Sequence, residues 1–155
     1  MEKNSVSNLS TYSISVFGLG LFIGILLDIF IPVRFLPEPL NEIIGVILVL
    51  VSTLFIFWAE KHGTTYSKKR KAGAVDSVDQ MLQGPYKYTR NPKYLGLGLL
   101  LIGLGVILND TFIIITSLIS ALVVHFYFLK KEESLLEERH GEIYKQYKDK
   151  VGKWL

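Results

Sequence analysis

"LGLGLLLIGLGVILNDTFIIITSLISALVVHFYFL", residues Leu95–Leu129, decides the fold. Two apolar runs meet in it with only Asn109 and Asp110 between them. A connection that short forces two antiparallel helices packed side by side. A hydrocarbon core about 30 Å thick needs roughly 20 residues of helix. Thr111–Leu129 meets that length, with His125 as its one group titrating near neutrality. Leu95–Leu108 falls short unless Pro92, Lys93 and Tyr94 extend it. Gly96 and Gly103, like Gly98 and Gly105, share helix faces, which lets neighbouring backbones approach closely.

Two further apolar runs precede this hairpin. Ile14–Ile31 is interrupted only by Asp28 and closes at Pro32, and Gly20 and Gly24 give it a small-residue face. Ile43–Ala59 carries no charge and follows Asn41, a residue suited to capping a helix start. The polar start "MEKNSVSNLSTYS" leads into the first run with no small-residue cleavage site after it. That run reads as a retained membrane helix rather than a signal peptide. The 155 residues, 50% of them hydrophobic, therefore predict an all-α polytopic membrane protein with about four transmembrane helices. The expected single domain divides into two N-terminal helices (1–60), a cytoplasmic loop (61–94), the hairpin (95–129) and a tail (130–155).

Charge sets the expected orientation. Of the 17 Lys and Arg, only Arg34 falls in the loop after the first run. The others cluster before the first run, between the second and third, and after the fourth, so both termini are expected in the cytoplasm. The tail "EESLLEERHGEIYKQYKDKVGKWL" repeats apolar residues at three- and four-residue steps. It predicts a cationic amphipathic helix lying on the headgroups, bent near Gly141. "YSKKRKAGAVDSV", residues 66–78, reads as a mobile linker. The chain has no cysteine, which excludes disulfides, thiolate ligands and a cysteine nucleophile. His62, His125 and His140 are far apart, so no metal site is expected. A net charge of +3 distributed this way points to a bilayer and not to nucleic acid.

Two motifs bracket the hairpin. "GPYKYTRNPKYLG", residues 84–96, combines a Gly-Pro turn with an Asn-Pro helix start. With Arg90 beside it, that helix start is a natural anion site, and its tyrosines could wall a flat or cationic ligand. The bland reading is a membrane anchor of Tyr, Lys and Arg. "KKEESLL" leaves the hairpin with Glu132 and Glu133, which could hold an ammonium group or simply be solvated. His125 falls on the α-helical face of Glu132 and is a functional candidate as an ionisable residue within a span. Asp28 and the Glu60, Lys61, His62 cluster read as ordinary polar helix ends.

Residues 81–154, with both motifs in order, resemble the isoprenylcysteine carboxyl methyltransferase and phospholipid methyltransferase superfamily. Its pattern is G-P-Y, R-H-P-x-Y-x-G, a hairpin, E-E-x-x-L and F-G-x-x-Y-x-x-Y. The resemblance implies an integral membrane enzyme that uses S-adenosylmethionine to methylate a hydrophobic or lipid-like acceptor. It implies cofactor contacts from Asp79, Gln80, Met81, Leu82, Tyr86, Arg90, Asn91, Pro92 and Tyr94, and from Glu132 and Glu133, with His125 alongside. Arg90, Glu132 and Tyr86 are the catalytic candidates. Asn91 stands where the family has histidine, and His140-Gly141 where it has F-G. Asparagine keeps hydrogen bonds but cannot carry protons. With no obvious base beyond His125, Glu132 or Tyr86, the sequence leans toward an acceptor already nucleophilic, a carboxylate before an amine. The rival readings are an NADPH-dependent sterol-type reductase and a non-enzymatic membrane scaffold. The glycine faces permit a homodimer, and the expected location is a prokaryotic inner or cell membrane.

Overall fold

A computed structural model describes residues 3–71 and 77–154 of the chain. All the regular structure among the described residues is helical, with no strand among them. The helices are α1 (Lys3–Phe30), α2 (Leu40–Lys71), α3 (Pro92–Ile107), α4 (Thr111–Val123), α5 (Lys130–His140) and α6 (Glu142–Lys150). A π-helical stretch, Val124–Leu129, joins α4 to α5 without a break, and two short 3₁₀ turns, Val78–Gln80 and Gly84–Lys87, lead into α3. Leu9–Phe30, Leu40–Thr64 and Thr111–His140 are each long and apolar enough to cross a membrane. The protein is thus an integral membrane protein, and α3 is the shorter apolar helix among them.

The hairpin is the middle of the bundle. α2 packs along α3 and α1 along α4, while α3 and α4 lie against each other. Asp110 caps α4, its Oδ1 accepting from the backbone N–H of Phe112 (2.8 Å) and Ile113 (3.0 Å). Asn109 turns the chain with φ 53°, a left-handed conformation that asparagine tolerates. Its side chain accepts from Phe35 N and Leu36 N and donates to Leu36 O (2.7 Å), tying the turn to the loop after α1. Asp28 belongs to the same corner, where it is ion-paired with Arg34.

The glycine faces do what close approach requires. Gly96 and Gly103 lie against Ile56 and against Val49 and Leu48 of α2, while Gly20 and Gly24 lie against Ser120 and Ile113 of α4. A Cβ at Gly24 would come within 2.8 Å of Ile113 Cα. Gly24→Leu is therefore expected to push α1 off α4 and cost about 1–3 kcal/mol, or more where the backbone cannot shift. Thermal unfolding in detergent measures it, and an unchanged midpoint would mean that this contact is not tight.

Three expectations change. α2 starts at Leu40, so Asn41 lies inside the helix, and its Nδ2 donates to Ile107 O (3.0 Å) across the α2–α3 seam. The linker expected over residues 66–78 is helical up to Lys71, and residues 72–76 lie outside the described ones. The tail does bend at Gly141 (φ 55°), but the apolar face of α6 does not lie open to headgroups. Tyr144, Tyr147 and Val151 are buried against Val78 and Met81. Periodicity correctly marks the tail as amphipathic, and the partner of its apolar face is the loop before α3.

Candidate functional site

At the polar end of the bundle, where the loop before α3 meets α5 and α6, lies a cavity of about 250 Å³. The sequence brings the loop there by its turns. Gly84 takes φ 55°, and Pro85 and Pro92 open the second 3₁₀ turn and α3. A Cβ on Gly84 would stand 2.6 Å from the His62 ring. Gly84→Ala therefore meets both a left-handed backbone and a wall. The backbone alone costs about 1–2 kcal/mol, and the variant is expected to lose binding of any cavity ligand along with that stability. A variant with wild-type melting and ligand binding would contradict it.

Residues 152–154 hold the loop from outside. Gly152 O accepts from Arg90 N (3.1 Å), and Lys153 O accepts from Asn91 Nδ2 (2.9 Å) and Thr89 Oγ1 (3.2 Å). Asn91 is the cap position of α3, yet its side chain makes no cap bond and serves this strap instead. Tyr147 Oη donates to Tyr86 O (2.8 Å), which fixes α6 to the second 3₁₀ turn.

The two adjacent carboxylates part ways. Neighbours on an α-helix point about 100° apart. Glu133 turns inward, where it pairs with Arg90 (Oε1–Nη1, 3.0 Å) and Lys153 (Oε2–Nζ, 3.1 Å). Glu132 lines the cavity and accepts from Tyr94 Oη (3.0 Å). Of the residues expected at the site, Gln80, Met81, Tyr86, Arg90, Asn91, Pro92, Tyr94 and Glu132 line this cavity.

Asp79, Leu82, His125 and Glu133 do not line it. Asp79 is exposed, and Leu82 packs on the core of α6 and the loop. His125 accepts from Trp154 Nε1 at 2.6 Å and stacks on that indole at 5.7 Å. The π turn explains the displacement. A helix closing i→i+5 takes about one residue more per turn, so the seven residues from His125 to Glu132 no longer complete two turns.

The cavity also takes in residues that sequence reasoning set aside. Ser10 comes from α1, whose polar start is helical, and His62 and Gly63 come from α2. Lys93, paired with Glu60, and His140 and Tyr144 complete much of the rest. Burial pushes the Tyr86 and Tyr144 phenols above their ordinary range, so both stay protonated and act as neutral donors. Gln80 lines the cavity with a buried Oε1 that has no hydrogen-bond partner among the described residues. The pattern is one half-buried carboxylate lining the cavity, an orphaned acceptor and several tyrosine faces, suited to a ligand with ammonium or amide donors and a flat or cationic body.

No curated protein and no solved structure matches the chain significantly. The family model of phospholipid methyltransferases matches residues 40–143, from the start of α2 into α6. It reaches further toward the N-terminus than the two motifs do, taking in α2 and the His62 wall of the cavity. The match covers more than half of the chain, which therefore belongs to the phospholipid methyltransferase family and is a membrane methyltransferase.

Proposed function

We propose that the cavity at the polar end of the bundle binds S-adenosylmethionine and that its methyl group passes to a lipid-like acceptor reaching the site from the bilayer. The convergence of Glu132, the unpartnered Gln80 Oε1 and the rings of Tyr86, Tyr94 and Tyr144 on one cavity carries this reading. These groups fit the donor. Glu132 is an anionic acceptor for its ammonium group, Gln80 an acceptor for an N–H, and the tyrosines offer faces to the adenine and the sulfonium. S-adenosylmethionine supplies a methyl already activated on that sulfonium, so the chain's own task is to orient the partners and exclude water. Tyr94 holds the Glu132 carboxylate in place. The Arg90–Glu133–Lys153 group holds the loop that carries Tyr86 and Asn91.

The bias of Lys and Arg to this end of the bundle supports a cytoplasmic side for the cavity, α6 and both ends of the chain. A prokaryotic cell membrane suits that arrangement. Calorimetric titration of the detergent-solubilised protein with S-adenosylhomocysteine tests the reading. Saturable binding is expected, and its absence would remove the cofactor assignment.

A further inference from the structure

α1 turns one stripe inward, formed by Leu9, Ser13, Phe17, Gly20 and Gly24 at three- and four-residue steps. Phe17 packs into the core with Tyr94 and Leu101, and the two glycines lie against α4. Ser13 departs from this pattern, a buried polar residue where an apolar one would pack as well. Its hydroxyl donates to Leu9 O (2.9 Å), the usual way a helix satisfies a buried serine. Ser10 stands just before it and lines the cavity.

Both serine side chains lie within hydrogen-bonding reach of the Tyr94 hydroxyl. Tyr94 is buried, and its one hydrogen goes to Glu132 Oε2 (3.0 Å). Toward the serines, then, the phenol oxygen only accepts. Ser13 has committed its hydrogen to Leu9 O, which leaves Ser10 as the donor. The hydrogens run one way, from Ser10 to Tyr94 to Glu132. A hydroxyl that accepts becomes a stronger donor, so each bond of such a chain strengthens the next. This one ends on a carboxylate in the cavity wall.

The family match begins at residue 40, after α1 has ended. Resting on the cofactor reading above, we infer that α1 is part of the binding apparatus as well as a membrane helix. Ser10 is its positioning residue, acting through Tyr94 to hold Glu132 ready for the ammonium group of S-adenosylmethionine. No proton needs to move along the chain. Its work is to fix the phenol, and through the phenol the carboxylate, before the ligand arrives.

The test is a double-mutant cycle on the detergent-solubilised protein, combining Ser10→Ala with Tyr94→Phe and read by calorimetric titration with S-adenosylhomocysteine. Ser10→Ala is expected to bind about 5-fold more weakly, on the order of one neutral hydrogen bond. Ser10→Thr keeps a hydroxyl and should bind within about twofold of wild type. In a Tyr94→Phe chain the relay is already broken, so adding Ser10→Ala should change the affinity by less than about 1.5-fold. Wild-type affinity in Ser10→Ala would overturn the proposal and leave the cofactor reading standing. An equal loss in the Tyr94→Phe background would overturn it too, since Ser10 would then act on the ligand directly or merely steady α1. A threonine variant that binds no better than the alanine one would show that the hydroxyl is not what matters. Wild type that does not bind S-adenosylhomocysteine would overturn this proposal and the cofactor reading together.

Discussion

Glu133→Ala is expected to unfold the polar end of the bundle. The substitution strips both cationic partners at once, and Arg90 is the more serious loss because its side chain is only 10% exposed. Breaking a buried pair by removing one member leaves an uncompensated charge, at a cost of about 3–5 kcal/mol. For a chain of this length the melting midpoint should fall on the order of 10 °C. Arg90 also gives its backbone N–H to Gly152, so the loop, the strap and α6 should loosen together. Thermal unfolding with proteolysis of the solubilised protein reads this out, with early cleavage expected around residues 84–90. A midpoint within a degree or two of wild type would show that the ion pairs are not what holds this end.

The neighbouring carboxylate should behave in the opposite way. Glu132→Gln keeps an acceptor for Tyr94 Oη and removes only the negative charge facing the cavity. The melting midpoint should hardly move. Binding of S-adenosylhomocysteine should weaken about 10- to 100-fold, the worth of one charge-assisted hydrogen bond. Two residues adjacent in sequence would thus separate cleanly, one in stability and the other in affinity. If both variants lost the same stability or the same affinity, the division of labour across α5 would be wrong.

That division marks the limit of what the sequence can tell. The hairpin is legible because Asn109-Asp110 leaves no other connection, and the glycine faces are legible because their spacing repeats. The loop motif and the glutamates are legible as a pair flanking that hairpin. Which glutamate turns inward is not, because Arg90 and Lys153 reach Glu133 from positions far apart in the chain. His125 was misplaced by counting in steps of 3.6 through a stretch that is π-helical. His62 looked like a helix exit because nothing local reveals that Gly84, 22 residues later, folds over its ring. Tail periodicity showed an apolar face but not its cover, since Val78 and Met81 lie more than 60 residues earlier.

The strap at residues 152–154 has a consequence for how the protein comes into being. A nascent chain threaded into the bilayer as far as His140 already has α1 to α5, yet Tyr144 and Tyr147 have not reached the cavity and nothing holds Asn91 or the Arg90 backbone from outside. Insertion and maturation are then separate events in time. The bundle assembles while translation continues, and the cavity closes only after residue 154 has left the ribosome. Ribosome-bound intermediates that end before α6 should therefore be embedded but inert.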